Sequence, residues 1–419
     1  MYLIYLISSI ILILTIRKQG RNWFNPIIIY ILIWVFIVSL YNLKLIPYRE
    51  TAVETWLVLI FVPIIIWLGY SSIHLITPHI SLSKKFNHTK ITYCKFFVYL
   101  FGSLLFIRVI SVWLGIYLRF GSLSAAFTSG DIIYEMSRTG EWAPGIGFYI
   151  PVDFISMFFL GIYHNKIKKI NKLIIFIFLS NIFLQLGLQN RFSLLLSLSM
   201  YIGAYIASNG AKFTTKPSSL VKYISALITL LFAISLSRNL SEINKVAGEF
   251  GEYELTVLPS LYYYLTNGIA GLNEYIIMGI DENDYLYTFN PILYYLSFID
   301  STISVSIYET VTYYTPLPTI IATWIRFLVD DFGFIGMFIF LYLIGLILKY
   351  AEFKLKKNLW VFWVSIYTHI LVMFIYSFFG YTFFISSFWF SLIISSLLGF
   401  IIDSNIAETL FGSFIKKNR

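Results

Sequence analysis

The chain has a single cysteine, Cys94, among its 419 residues, which excludes an internal disulfide and any cysteine-built metal centre. Charge is scarce as well. Asp, Glu, Lys and Arg together make up 12% of the sequence, roughly half the share usual in a soluble domain. No Gly-Lys-Ser/Thr phosphate loop is present, which removes nucleotide-driven pumping, and Gly130 and Gly333 stand as isolated glycines with no fingerprint around them. No internal repeat is visible. Residues 1–16 have neither a basic leading region nor a small-residue cleavage site, so no cleavable signal peptide is expected.

What fills the chain instead is apolar: 58% hydrophobic and 20% aromatic residues, with a mean hydropathy of +0.79. Runs such as 26–46, 55–76, 359–379 and 382–402 each approach the ~20 residues that cross a bilayer as a helix. Hydropathy places further spans at 2–16, 96–118, 147–163, 173–188, 192–208, 223–237 and 332–348. The expected fold is an all-α polytopic membrane protein with about eleven transmembrane helices and one large outer loop. It falls into an N-terminal bundle (1–237), the outer (periplasmic) loop (238–331) and a C-terminal set of helices (332–419).

A net charge of +9 would suit nucleic acid if it were gathered in one patch, but it alternates from loop to loop. One set of connectors, from Arg17, Lys18 and Arg21 to Lys416, Lys417 and Arg419, collects 21 of the 30 basic residues with only Glu352, Asp403 and Glu408 among them. This is the positive-inside pattern, and it puts the N-terminus outside and the C-terminus in the cytoplasm. The basic excess reports topology, and no nucleic-acid partner is expected. On this topology none of the five histidines, His74, His79, His88, His164 and His369, lies in an outer loop. That removes a His-rich metal site and a Ser–His pair from the outer face, and no metal or cofactor is expected.

The segment 238–331 has the reverse balance, three basic residues against twelve acids, and 253–314 is crowded with tyrosines. Loops of this length are seldom mere connectors. Two stretches in it, 255–279 and 289–300, are apolar enough to be helices lying in the interface. Their tyrosines either anchor them there, ring buried and hydroxyl wet, or offer faces on which sugars stack. At membrane depth, Arg108 interrupts the fourth span. Asn181, Gln185 and Gln189 recur every four residues along the sixth as one polar stripe running to Arg191. The stripe either bonds helix to helix or serves a ligand. Guanidinium forks onto phosphate oxygens, so Arg108, Arg138, Arg191, Arg238 and Arg326 are candidates for holding a lipid-linked pyrophosphate at headgroup level, or are interfacial snorkelling residues.

The stretch 186–196, Leu-Gly-Leu-Gln-Asn-Arg191-Phe-Ser-Leu-Leu-Leu, resembles the arginine-bearing start of a middle span in the O-antigen polymerase (Wzy) and ligase superfamily. Residues 262–273, with Tyr262, Tyr263, Asn267 and Asn273, are similar to the Tyr/Asn-rich outer segment of oligosaccharide repeat unit polymerases. So are Pro318-Thr319 and 329–336, which contains Asp330, Asp331 and Gly333. The ligase branch is expected to use an outer-loop histidine, and none is seen.

The resemblance implies a GT-C-like glycosyltransferase of the bacterial inner membrane. It would transfer a growing glycan from one polyprenyl pyrophosphate to the sugar end of another lipid-linked repeat unit, giving O-antigen or capsule-type polysaccharide. Polyprenyl-pyrophosphate-linked oligosaccharides and membrane lipid are then its partners, beside a chain-length regulator and a flippase. Arg191 and Arg238 would bind pyrophosphate, with Arg326 and Arg108 as further candidates, and Tyr262, Tyr263, Asn267 and Asn273 would face glycan. Asp331 or Asp330 would act as base, unless the pair is a polar N-cap for the ninth helix. The rival from another class is a flippase for lipid-linked repeat units, disfavoured by the lack of two similar halves. A membrane acyltransferase ranks third, for want of a histidine beside an arginine on the outer face.

Overall fold

In the computed structural model the described residues are 1–18, 23, 25–73, 88–130, 132–133, 136, 141–142, 151–210, 244–248, 251–255, 257–279, 287–297, 300, 313–315, 318–319, 322–358 and 360–404. The expected span 223–237, Arg138 and Arg238 lie outside them. The described part of every other expected span is mainly helical: α1 (Tyr2–Lys18), α2 (Pro26–Asn42), α3 (Val53–Ser72), α4 (His88–Phe120), a short α5 (Ala125–Thr128), α6 (Val152–Ile167), α7 (Lys172–Leu188) and α8 (Arg191–Ser208). In the expected outer loop, α9 (Val257–Met278) and a short α10 (Asn290–Leu296) form where interfacial helices were anticipated. The chain continues with α11 (Trp324–Asn358), α12 (Val361–Tyr376) and α13 (Ser386–Asp403). Two small antiparallel ribbons were not foreseen: β1 (Asn244–Gly248) with β2 (Gly251–Leu255), and β3 (Tyr313–Tyr314) with β4 (Pro318–Thr319).

Among the described residues four helices are long and apolar enough to cross a membrane: Val53–Ser72, Lys90–Phe120, Trp324–Lys357 and Ser386–Asp403. Outward faces agree with an apolar solvent. On α4, one of the four, Ile107, Ile110, Leu114 and Leu118 are exposed, and on the shorter α1 so are Leu3, Ile7, Ile10, Ile11 and Leu14. Such continuous apolar surface is rare on proteins that face water alone.

Local chemistry sets the helix ends. Asn25 caps α2 by accepting from Ile27 N at 3.0 Å, with Pro26 at the first position where a missing N–H costs nothing. Asn171 and Asn190 cap α7 and α8 in the same way, accepting from Ile174 N and Ser193 N at 3.0 Å each. α11 is not one straight rod. Gly333 takes φ 65° and ψ 176° inside it, a backbone only glycine adopts freely, so the charged stretch 324–332 is separated from the apolar stretch 334–348. Asp330 and Asp331 therefore sit within the helix and ahead of the break, and the N-cap alternative for them does not hold.

The chain forms two compact units. The first comprises Met1–Ile80, Ile243–Tyr350 and Met373–Trp389. Its core is aromatic: Tyr30 packs on Trp34, Trp324 and Phe374 at centroid distances of 5.9, 5.8 and 5.3 Å, and Trp34 Nε1 donates to Ser377 Oγ at 2.8 Å. Here α3 and α11 cross closely, because a Cβ on Gly69 would lie 2.0 Å from the Tyr342 carbonyl and one on Gly345 2.1 Å from that of Ile66. The second unit comprises Ser81–Glu242, Ala351–Val372 and Phe390–Arg419. Its centre is α6, buried almost all round as a helix enclosed by others should be, with Phe159 stacked on Phe97 and Phe101. The two units cut across the three-part order expected from hydropathy.

Candidate functional site

In the first unit the charged stretch of α11 builds a polar cluster. Arg326 and Asp330 are one helical turn apart, the spacing at which side chains on a helix meet, and Arg326 Nε lies 3.2 Å from Asp330 Oδ2. Their side chains are 2% and 0% exposed, so this is a sealed ion pair, and such a pair holds only when its remaining valences are met. Tyr275 of α9 supplies one, its hydroxyl donating to Asp330 Oδ1 at 2.6 Å. The guanidinium is also walled by rings: Tyr275, Tyr313 of β3 and Phe327 have centroids 5.8, 5.1 and 5.4 Å from its central carbon, within cation–π range. Its other N–H groups have no hydrogen-bond partner among the described residues.

Asp331 is cradled by the turn ahead of α10. Tyr287 N donates to Oδ1 at 2.5 Å, Thr288 N donates to Oδ2 at 2.7 Å, and the Thr288 hydroxyl donates to the same oxygen. That hydroxyl is 3.0 Å from the Tyr381 phenol, and Trp389 Nε1 donates to the Thr288 carbonyl at 2.9 Å. Burial, with the Asp331 charge adding to it, pushes the Tyr381 phenol well above the usual tyrosine range. Tyr381 therefore stays a protonated donor at neutral pH. One guanidinium stands against two carboxylates here, so the local charge is negative. That repels pyrophosphate and suits neutral groups carrying hydroxyls.

The stretches 262–273, 318–319 and 329–336 singled out in the sequence all lie in this unit. Asn267 donates from Nδ2 to Thr319 Oγ1 at 3.3 Å, and Asn267 Oδ1 is buried without a partner. Tyr263 lies beside Asn267, Thr315 and Thr319. Two of the expected glycan residues are committed to the fold instead. The Tyr262 hydroxyl donates to the Leu40 carbonyl at 3.1 Å and accepts from Leu45 N at 3.2 Å. Asn273 accepts from Ala52 N at 2.8 Å and Thr55 Oγ1 at 3.0 Å, and donates to the Glu50 carbonyl at 3.2 Å. Its neighbour Glu274 pairs with Arg49 at 3.0 Å. Tyr275, Thr288, Tyr313, Tyr381 and Trp389 belong to the cluster but were not marked as site residues. For Tyr275 and Tyr313 the crowding of tyrosines in 253–314 was a signal; for Thr288, Tyr381 and Trp389 there was none.

The other candidate arginines lie in the second unit or outside the described residues. Arg191 opens α8, and its side chain lies outside the described residues. Arg108 of α4 faces Asp153 in the first turn of α6 at 3.6 Å, so its charge is offset. Asp153 in turn accepts from Gln185 Nε2 at 2.9 Å, Asn181 donates to Ser197 Oγ at 2.7 Å, and Gln189 donates to the Ala126 carbonyl at 2.6 Å. The polar stripe on α7 thus bonds helix to helix, with two of its acceptors, Asn181 Oδ1 and Gln185 Oε1, left over. Among the described residues no group of histidines, cysteines or carboxylates has the arrangement of a metal centre. Compared with protein-family models, with curated proteins and with solved structures, the chain shows no match.

Proposed function

We propose that the chain is a glycosyltransferase that joins polyprenyl-pyrophosphate-linked oligosaccharide repeat units on the outer face of the bacterial inner membrane. It would be a GT-C-like protein of about eleven spans, with its N-terminus outside and its C-terminus in the cytoplasm. The observation that carries this reading is the Arg326–Asp330–Asp331 cluster. A base candidate, an underused guanidinium and aromatic faces converge there from the acidic, tyrosine-rich segments that the charge pattern assigns to the outer face. Aromatic walls beside carboxylates are what a sugar's C–H surface and hydroxyls call for.

In the proposed step a hydroxyl of the acceptor unit attacks the anomeric carbon of the donor glycan. The bond from that carbon to the pyrophosphate oxygen breaks, and the hydroxyl proton passes to Asp331. Asp331 suits this role better than Asp330, which is fully enclosed by Arg326 and Tyr275. The donors from Tyr287 and Thr288 fix the carboxylate in place, and geometry is the first requirement for a general base. Arg326, sealed against Asp330, would hold the stretch that carries Asp331 in place. The leaving pyrophosphate stays assigned to Arg191 and Arg238 by the family resemblance.

The test is the size ladder of surface glycan on a gel after deletion of the gene, with complementation by wild type, Asp331→Asn and Arg191→Ala. The deletion should collapse the ladder to a single repeat unit. Wild type should restore it, and Asp331→Asn should lower polymer formation by about 10²-fold or more at unchanged protein level. Loss of even the single unit, with lipid-linked units trapped inside, would identify a flippase instead. An unchanged ladder would remove both readings.

A further inference from the structure

Asp331 is half-buried, whereas the two side chains in line behind it, Thr288 and Tyr381, are 2% and 3% exposed. A carboxylate offers about four lone-pair positions, two on each oxygen. Oδ2 takes two donors, the Thr288 N–H at 2.7 Å and the Thr288 hydroxyl, and is thereby filled. Oδ1 takes the Tyr287 N–H at 2.5 Å. Among the described residues one position is left over, and it is on Oδ1.

Counting protons fixes the direction of the bonds behind Oδ2. An ionised carboxylate only accepts, so Thr288 spends its single hydroxyl proton on Asp331. The 3.0 Å contact between Thr288 Oγ1 and the Tyr381 phenol must then run the other way, with Tyr381 donating and Thr288 accepting. Burial keeps the phenol protonated for this. The Tyr381 ring is held by Phe327 and Phe383, whose centroids lie 6.2 and 5.8 Å away. Trp389 Nε1 grips the Thr288 carbonyl at 2.9 Å, so both ends of the Tyr381–Thr288 bond are fixed. A hydroxyl that accepts one hydrogen bond is also a stronger donor in the next.

We propose that Tyr381 is a positioning residue for the transfer step: by donating to Thr288 it commits the Thr288 proton to Oδ2, which leaves Oδ1 as the oxygen that receives the proton of the acceptor hydroxyl. This role rests on the glycan reading above and adds to it which carboxylate oxygen reacts and what holds the other. As the proton reaches Oδ1, the acceptor oxygen bonds to the anomeric carbon, and the electron pair of the broken bond leaves with pyrophosphate. Thr288 and Tyr381 keep their own protons throughout. Tyr381, buried behind Thr288, acts through it and touches no substrate.

The experiment uses the purified full-length protein in lipid nanodiscs, supplied with lipid-linked repeat units extracted from the deletion strain. Polymer formation is followed against pH for wild type, Tyr381→Phe, Thr288→Val and Thr288→Ser. Infrared titration of the substrate-free protein follows the Asp331 carboxyl band, identified by its loss in Asp331→Asn. Removing donors to the ionised form raises the pKa of a carboxyl. Polymer formation needs the ionised base, so on acidification it should fail at a higher pH in Thr288→Val and Tyr381→Phe than in wild type. Thr288→Val loses a hydrogen bond to a charged group and should move the infrared midpoint and the acid limb up by about one pH unit or more. Tyr381→Phe keeps the ring and loses only the bond behind Thr288, so it should move both by roughly a few tenths of a unit. Thr288→Ser should rescue what Thr288→Val loses. The other ionisable groups of the cluster are Arg326 and Asp330 on α11, Tyr275 on α9, Tyr313 on β3 and Tyr287. None of them is altered, so a shared shift reads the bonds behind Oδ2. A lowered Tm with midpoint and limb unmoved marks a merely structural contact and overturns the role, as does a Tyr381→Phe profile that coincides with an active wild type. If wild type itself forms no polymer, the glycan reading falls and takes this role with it, so the wild-type sample tells the two failures apart.

Discussion

Arg326 and Asp330 are four residues apart on one helix, whereas Arg108 and Asp153 come from α4 and α6. The first pair is closed from solvent at 2% and 0% side-chain exposure with a 3.2 Å contact, and the second is looser, at 3.6 Å and 20% on the arginine side. In the first unit each remaining face of the pair has a neighbour: Tyr275 on the carboxylate, and Tyr275, Tyr313 and Phe327 around the guanidinium. In the second unit, among the described residues, the arginine has no hydrogen bond, and Gln185 alone donates to the carboxylate. A charge that has left water must be compensated where it stands, so a sealed pair is fixed in one arrangement. A pair held at longer range by charge alone is less tightly fixed. The two units therefore use the same two side chains differently, one in a sealed, hydrogen-bonded contact and the other in a looser ionic one.

The largest effect that would break this comparison is removal of one carboxylate. Asp330→Ala leaves a buried guanidinium alone and should cost about 3–5 kcal/mol of stability, read as a lowered Tm in nanodiscs. Asp153→Ala should cost less, because Arg108 stands 3.6 Å from the carboxylate and makes no hydrogen bond to it among the described residues. Equal losses would mean that the exposure difference does not govern the two pairs. A sharper version replaces both charges. Arg326→Met with Asp330→Leu should fold within about 1 kcal/mol of wild type, since apolar isosteres often replace buried pairs without loss, yet it should form no glycan ladder. A double variant that folds and still polymerises would reduce the pair to scaffolding.

Next in size is the break that sets the sealed pair apart from the apolar part of α11. Gly333 is at φ 65°, with open space where a Cβ would go. Gly333→Ala therefore meets no clash, only backbone strain, and should cost on the order of 1–2 kcal/mol. Thermal unfolding checks it, and a silent substitution would show that α11 straightens without penalty.

The same two pairs show what was legible in the sequence. The sequence puts Arg326 and Asp330 in the outer loop, ahead of a span expected at 332–348, and they become neighbours one turn apart only because α11 extends back to Trp324. Arg108 was visible as a charge within an apolar run, but its partner was not, because Asp153 lies near the edge of a different run and only the packing of α4 on α6 brings them together. Hydropathy found the helices, since apolar content is what the bilayer demands, but it placed some ends where charge begins. α4 starts at His88 rather than near residue 96, because the backbone stays helical through Lys95 and through Lys90, whose ammonium is met by Asp403 at 2.6 Å. Asn273 and Tyr262 were read as glycan-facing because a polar side chain in an aromatic-rich helix has the same signature whether it meets a ligand or a neighbouring backbone. Thr288, Tyr381 and Trp389 come from separate segments and acquire their relation to Asp331 only in the folded chain.

The smallest expected effect is also the most discriminating, because one conservative substitution can be made in both units. Lysine keeps the charge of arginine but loses the Nε donor and the flat fork. At Arg326 this removes the 3.2 Å bond to Asp330 and the stacking of a planar cation against three rings. Arg326→Lys should therefore cost about 1.5–3 kcal/mol, the range for a hydrogen bond to a charged group. At Arg108 there is no hydrogen bond to lose, and an ammonium at the same distance balances Asp153 equally well. Arg108→Lys should stay within about 0.5 kcal/mol of wild type, as weakly held ion pairs do. If Arg108→Lys proves as costly as Arg326→Lys, the guanidinium fork of Arg108 is making bonds in the membrane, and the picture of a pair held by charge alone in the second unit has to go.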